Sequence, residues 1–135
     1  MPVIAVGSEI IECVRIARMI ETHGEQFLER VYRSGEIQQC LGSKNATQNF
    51  AKRWAAKEAV IRMLRARRAG GLRWLDIEVV MLAGIGPTVE LLGTAEMAAC
   101  RLGIEHIHLS MAACRTHATA HVVAEGEMID TQDLD

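Results

Sequence analysis

The sequence predicts an α+β fold in which a small antiparallel sheet packs on one long central helix. The longest helical pattern runs from Asn45 to Arg68 and carries apolar residues at spacings of three and four. Apolar and polar residues alternate in Ile104–Ala112 and in His117–Glu125, which is typical of strands with one buried face. The chain has 135 residues, enough for one domain with a core. We expect that domain to span 1–126.

The first elements are a strand and a helix. Val3–Ile11 has the composition of a strand, which we expect to be interrupted at Gly7-Ser8. Cys13–Thr22 has helical spacing, and His23-Gly24 should end it because glycine commonly follows the last helical residue.

Two short helices should precede the long one. They are predicted at Phe27–Tyr32 and at Ser34–Leu41, with Ser34 as the N-cap of the second. The long helix Asn45–Arg68 follows, and Gly70-Gly71 should break it.

A hairpin and a further helix should separate the long helix from the last two strands. Trp74–Leu82 is predicted as a strand, Gly84–Pro87 as a turn and Thr88–Leu92 as the returning strand. Thr94 should cap an alanine-rich helix that ends near Gly103.

The charge distribution argues against a general nucleic-acid-binding protein. The net charge is −2, although eight of the fifteen basic residues lie between Lys52 and Arg73. The arginine cluster from Arg62 to Arg73 has few interleaved aromatics, so we rank a nucleic-acid contact low. The last stretch, from Glu125, holds five acids and no base, and 127–135 is predicted to be a flexible acidic tail.

The cysteines and the apolar pattern indicate a cytoplasmic protein without a membrane span. The four cysteines have no CxxC spacing, so we expect small apolar side chains in a reducing compartment rather than disulfides or a zinc site. They are Cys13, Cys40, Cys100 and Cys114. The start has no basic signal-peptide region, and no apolar run has membrane-spanning length.

The long helix places charges of both signs on one face. Trp54, Glu58, Arg62 and Arg65 are spaced by three and four, so they line up beside an alanine-rich face. Such a row can hold a cation next to a phosphate. A solvated ion pair between Glu58 and Arg62 explains the same spacing, and from this segment alone we favour the ion pair.

The order of the motifs resembles the holo-acyl-carrier-protein synthase family of 4′-phosphopantetheinyl transferases. The resemblance covers about Val3 to Glu125. The matching motifs are Gly7-Ser8-Glu9-Ile10-Ile11-Glu12, Arg15-Ile16, Phe27-Leu28-Glu29-Arg30-Val31-Tyr32, Glu36, Arg53-Trp54-Ala55-Ala56-Lys57-Glu58-Ala59, Asp76-Ile77-Glu78-Val79, Gly86-Pro87, His108-Leu109-Ser110 and Val122-Val123-Ala124-Glu125. Each motif is weak alone, but their order and spacing together are fairly specific.

The resemblance implies an enzyme that transfers 4′-phosphopantetheine from coenzyme A to a serine of an acyl carrier protein, as in fatty acid biosynthesis. It implies Mg²⁺ as cofactor, bound by Glu9 and Glu58, because Mg²⁺ suits a few carboxylates together with phosphate oxygens and water. It also makes Glu58 the candidate acceptor of the serine proton, with Lys57 as a second catalytic residue.

Contacts with substrates also follow from the resemblance. The implied coenzyme A ligands are Arg53, Lys57, Arg62, Arg65, Arg67, Pro87 and Ser110. Arg15 falls where the family meets its acidic carrier protein, and the family is commonly a homotrimer built around its sheet. His121 lies on a strand that would contribute to that interface. We expect its same-face pair with His117, and the pair His106 and His108, to be packing or interface residues rather than metal ligands.

Three departures from the family pattern leave an alternative open. Glu9 replaces an aspartate, Arg65–Arg68 replaces a glycine-rich turn, and Ala112-Ala113 replaces a serine and a histidine. The arginines either bind phosphate through their side chains or form a solvated helix end. The alternative is a catalytically impaired homologue that acts as a carrier-protein-binding module.

Overall fold

The computed structural model describes residues 1–127, so the predicted tail lies outside the described part except for Glu127. These residues form five strands, five helices and one 3-10 turn. In chain order they are β1 (Val3–Glu12), α1 (Cys13–His23), α2 (Glu25–Val31), α3 (Ser34–Leu41), α4 (Ala46–Arg65), the 3-10 turn (Trp74–Asp76), β2 (Ile77–Leu82), β3 (Gly86–Leu91), α5 (Gly93–Leu102), β4 (Ile104–Ala113) and β5 (His117–Gly126).

The predicted α+β class with antiparallel pairing is confirmed, but the strands form two sheets rather than one. The larger sheet has the order β1-β5-β4, and β2 and β3 form a separate hairpin. The outer strands β1 and β4 pair with β5 on its two sides, and Ser8 of β1 and Ser110 of β4 both lie opposite His121 of β5. Inward-facing residues of this sheet pack on α4, the central helix.

Small side chains let α4 lie close against the sheet. Ala55, Ala56 and Ala59 are fully buried on the helix, and Ala118, Ala120 and Ala124 are fully buried on β5. The few aromatic residues nevertheless reach the core. Phe27, Tyr32 and Phe50 pack together there with inclined rings. The ring centroids of Phe27 and Tyr32 are 6.1 Å apart, and those of Tyr32 and Phe50 are 4.9 Å apart.

Gly7 lies close against α4. The strand β1 is continuous through this residue, where an interruption was predicted. A Cβ at this position would lie 2.4 Å from the carbonyl oxygen of Ala59 and 3.1 Å from Met63 Cβ. We expect Gly7→Ala to lower the free energy of unfolding by about 1–3 kcal/mol, because the strand must move away from the helix. Urea unfolding measures this. Gly70→Ala is the control, since nothing lies within 4 Å of a Cβ there; equal stability of the two variants would contradict the close packing.

Four local predictions are wrong, one of them that Thr94 caps α5, since Thr94 is the second helical residue there and the cap is Leu92. The long helix ends at Arg65, before the glycines, because Arg68 adopts a left-handed conformation (φ 66°) and the Ala69 N–H returns to the Leu64 carbonyl. The first residues of the predicted strand Trp74–Leu82 form the 3-10 turn instead. Ser34 is the first helical residue of α3 rather than its N-cap, and the cap is Arg33.

Within residues 1–127, no helix combines the length and the apolar composition needed to cross a membrane.

Candidate functional site

Glu9 lies on the inner face of β1, the face that packs on α4. Its side chain is 11% exposed, and Oε2 is buried without a hydrogen-bond donor. The Nε of Arg62 lies 2.9 Å from this oxygen, so the contact is an ion pair whose N–H is not directed at the carboxylate. A buried carboxylate oxygen without a hydrogen bond is costly unless a cation completes its surroundings.

Glu58 lies on α4 and lines a cavity of about 600 Å³. Its Oε1 accepts a hydrogen bond of 2.5 Å from the indole Nε1 of Trp74. The cavity combines an apolar wall with three arginines, Arg30, Arg65 and Arg73. A cavity with this balance of charge suits a ligand that has both an apolar part and an anionic group.

The position of Arg62 shows how the two carboxylates lie relative to α4, although Arg62 contacts only Glu9. Arg62 follows Glu58 by one helical turn on the same face of α4, and its guanidinium contacts Glu9. Glu9 and Glu58 therefore flank the same side of the helix, although Glu9 does not line the cavity that Glu58 lines. The ion pair expected between Glu58 and Arg62 is not formed, because Arg62 pairs with Glu9 and Glu58 bonds to Trp74.

The donor set fits a hard divalent cation that shares its coordination with a substrate. Among residues 1–127, no three His, Cys, Asp or Glu side chains are grouped closely enough to form a metal cage by themselves. Two carboxylates, one with a buried oxygen that accepts no hydrogen bond, would leave the other positions to phosphate oxygens and water, which is the arrangement that Mg²⁺ favours.

Lys57 lies in the core, a placement that does not favour its predicted catalytic and coenzyme A-binding roles, which stay predictions. Its Nζ is fully buried 2.7 Å from Glu36 and donates to the carbonyl oxygens of Trp74 (3.1 Å) and Ile77 (2.5 Å). Burial lowers the pKa of Lys57, and the Glu36 carboxylate opposes that shift. Because all three ammonium protons have acceptors, none is left for a substrate.

The other predicted coenzyme A ligands are not brought together in one chain. Only Arg65 among them lines the Glu58 cavity. Arg53 is buried and donates to Gln39, and Arg67 donates to the Ile4 carbonyl. Their predicted roles, like those of the two residues that follow, stay predictions.

Pro87 and Ser110 lie on other surfaces. Pro87 pairs with Met81 in the β2–β3 hairpin. Ser110 is exposed on the outer face of β4, opposite His121.

Arg15 is exposed on α1, as its predicted role requires. The same helix surface exposes Val14 and Met19, 46% and 41% of their areas, beside Arg18. A surface that is both basic and apolar suits an acidic protein partner, because opposite charge speeds association and apolar contact stabilises the complex.

The sequence model of the 4′-phosphopantetheinyl transferase superfamily matches residues 5–123. The chain belongs to this superfamily. The family predicted from the motifs is therefore confirmed, and the protein is a holo-[acyl-carrier-protein] synthase-like phosphopantetheinyl transferase.

Relatives of this transferase match most of its length. It is 50% identical over 123 residues to a holo-[acyl-carrier-protein] synthase of Rhodopirellula baltica, covering 91% of this chain and 98% of the relative. The crystal structure of the Neisseria meningitidis synthase superposes with a TM-score of 0.78 at 26% identity, covering 92% and 99% of the two chains. A Bacillus anthracis synthase in complex with CoA (3′,5′-ADP) superposes with a TM-score of 0.68 at 28% identity, covering 93% and 98%.

Sequence reasoning missed two groups around the transferase site. Trp74 was placed only in a strand, and Arg30 was assigned no role, yet both line the cavity beside Glu58. The second group is Glu36, the buried acceptor of Lys57. A tryptophan 16 residues after Glu58 carries no sequence signal of the contact, since the turn that brings it back is set by tertiary packing.

Two cysteines do not behave as the predicted buried apolar residues, because Cys100 and Cys114 are exposed. Hydrogen bonding to the Thr116 hydroxyl, and then to the backbone N–H groups of His117 and Thr116, lowers the pKa of the Cys114 thiol to about 7. We expect its alkylation by iodoacetamide to accelerate as the pH rises through about 7, because the thiolate is the nucleophile. Peptide mass spectrometry gives the rate at each pH.

Matched thiols and a variant control this measurement. Burial raises the pKa of Cys13 and Cys40, so both should stay unmodified at the same pH. Thr116→Val removes the largest cause and should move the Cys114 profile to higher pH; an unchanged profile in this variant would contradict the assignment.

Proposed function

We propose that this transferase moves the 4′-phosphopantetheine arm of coenzyme A onto a serine hydroxyl of an acyl carrier protein, with release of 3′,5′-ADP and dependence on Mg²⁺. The observation that carries the proposal is the pair Glu9 and Glu58 on one side of α4, next to a cavity with three arginines. The names of the relatives support the carrier protein as acceptor, and the Bacillus anthracis complex supports coenzyme A as donor.

The residues of this chain divide the chemistry between them. Glu58 accepts the proton of the attacking serine, since its carboxylate lines the cavity and one oxygen is not used by Trp74. Arg65 and Arg30 neutralise phosphate charge from the cavity wall. Glu9 and Glu58 would hold the cation, which would supply charge neutralisation at the diphosphate. Glu9 is one methylene longer than the family's aspartate, and its ion pair with Arg62 keeps it on the side of α4 where Glu58 lies.

The proposal includes a homotrimer formed through the outer face of the larger sheet. Two strand residues on that face, Val6 and Ile10, are 65% and 60% exposed, with Ser8 between them and His121 opposite Ser8. An exposed apolar surface of this kind marks a protein contact. Assembly would also give Pro87 and Ser110 of one copy the opportunity to contact coenzyme A bound at another. Sedimentation equilibrium tests this, with a mass three times that of the chain as the expected result.

The decisive experiment is mass spectrometry of an apo acyl carrier protein after incubation with the transferase, coenzyme A and MgCl₂. We expect the carrier to gain one phosphopantetheine, and the gain to be lost with EDTA and restored by added Mg²⁺. The absence of any gain with several carrier proteins would overturn the proposal. Calorimetry then distinguishes the impaired homologue, which would bind a carrier protein but not coenzyme A. The free thiols of Cys13 and Cys40 in the core fit a reducing compartment, and we place the reaction in the cytoplasm.

A further inference from the structure

We infer that Trp74 is a positioning residue for Glu58, and that the buried Lys57–Glu36 pair holds Trp74 in place for this role. The inference rests on the proposed function, because it assigns Glu58 its orientation in that reaction. The indole Nε1 donates to Glu58 Oε1 at 2.5 Å, and hydrogen bonds to a carboxylate are stronger than neutral ones. With Oε1 occupied by the indole N–H, Oε2 is the oxygen that this contact leaves free for a ligand in the cavity.

Trp74 also lies where two cavities meet. The Glu58 cavity and a second one of about 580 Å³ share Trp74 and Arg30 in their walls. The second cavity is bounded by α1 and α2 through Met19, His23 and Phe27, next to the surface that carries Arg15. A carrier-protein serine that enters from the side of α1 and α2 would therefore meet Glu58 next to the indole of Trp74. The side chain that lies between the two cavities is thus also the one that orients the carboxylate of Glu58.

The main chain of Trp74 is held by the buried side chain of Lys57. Lys57 Nζ donates to the carbonyl oxygens of Trp74 and Ile77, which lie at either end of the 3-10 turn. Glu36, the counter-ion of Lys57, also accepts from the backbone N–H groups of Arg33 (2.9 Å) and Val79 (3.2 Å). The turn is thus tied to α4, α3 and β2 through two fully buried side chains, which leaves it little freedom.

These contacts form a closed loop. Lys57 binds the backbone of Trp74, and the side chain of Trp74 returns to Glu58, the next residue after Lys57 in α4. One turn of the helix therefore both supports the tryptophan and receives its hydrogen bond. Groups that orient a ligand of a metal ion affect its affinity even though they do not touch the ion.

The first test is Trp74→Phe, which keeps an aromatic ring and removes the donor. We expect the Mg²⁺ concentration for half-maximal transfer to rise about 10- to 100-fold, with kcat reduced and the thermal midpoint close to that of the control. Trp54→Phe is the control, because Trp54 packs against the core and its indole N–H makes no hydrogen bond within residues 1–127. A Trp74→Phe enzyme with wild-type kcat and Mg²⁺ dependence would overturn the inference.

The second test does not depend on activity. In ¹⁵N-labelled protein, the indole N–H resonance of Trp74, assigned from the two phenylalanine variants, should lie downfield of that of Trp54. Glu58→Ala should move it upfield, and Glu90→Ala on β3 should leave it unchanged. A Trp74 resonance that ignores Glu58→Ala would refute the contact. If the shift is seen but the wild-type protein transfers nothing, the proposed function fails while the contact between Trp74 and Glu58 stands.

Discussion

Glu58→Ala is expected to reduce transfer of phosphopantetheine by about 10³-fold or more while leaving the fold intact. The substitution removes a proton acceptor and one of the two carboxylates proposed to hold the cation. Its structural cost should be small, because Glu58 is half-buried at a cavity wall, where water can reach the indole N–H that the substitution leaves without its acceptor. Initial rates with apo carrier protein measure the loss, and circular dichroism checks the fold.

The matched control for this variant is Glu90→Ala, which removes an exposed carboxylate on β3. It should transfer at the wild-type rate, so a general effect of lost negative charge can be separated from a site effect. Glu58→Gln adds a finer comparison, since its amide oxygen still accepts from Trp74 but cannot take up the serine proton. Full activity of Glu58→Ala would contradict the proposed role of Glu58 as proton acceptor and cation ligand.

Lys57→Met is expected to lower the free energy of unfolding by about 3–5 kcal/mol, because it leaves the Glu36 carboxylate buried without its counter-ion. The substitution also removes the donor to the carbonyl oxygens of Trp74 and Ile77. Methionine keeps the volume and apolar contacts of the side chain, so the change is mainly electrostatic. Urea unfolding followed by tryptophan fluorescence gives the difference.

Lys52→Met is the comparison for this effect. Lys52 is only partly buried on the same helix and forms no ion pair within residues 1–127, so its loss should change stability by less than about 0.5 kcal/mol. If Lys57→Met were as stable as Lys52→Met, the buried pair would not be a structural contact. A reduced transfer rate at full stability would instead return Lys57 to the catalytic role first predicted for it.

The order of elements could be predicted from sequence because local signals set it. Gly24, with φ 54°, ends α1 as the glycine signal indicates, and alternation identifies β4 and β5 within a residue or two. The turn at Trp74–Asp76 could not be predicted, because its apolar pattern fits a strand and its shape depends on carbonyl groups that converge on Lys57. Tertiary contacts of this kind leave no trace in a short sequence window.

The roles of the site residues stay predictions. Motif order predicts that Glu9 and Glu58 share a cation, and in the structure Glu9 contacts Arg62, one helical turn after Glu58. The burial of Lys57 was not predicted, although its spacing held a signal. Lys57 lies four residues after Arg53 and three before Val60, on the buried face of the helix. That spacing predicts an inward side chain, but only the fold reveals that Glu36 is there to receive it.

The strand order has a consequence for how the protein comes to be made. β1, which carries Glu9, pairs with β5 at the other end of the sequence, from Val3 opposite Glu125 to Glu12 opposite His117. Until β5 has been synthesised, β1 has no strand to pair with, and α4 lacks the part of the sheet that β5 supplies. Contacts this distant in sequence slow folding. The proposed magnesium site, which needs Glu9 in place, is therefore one of the last features the nascent polypeptide can complete, and a chain truncated before its final strand should lack it.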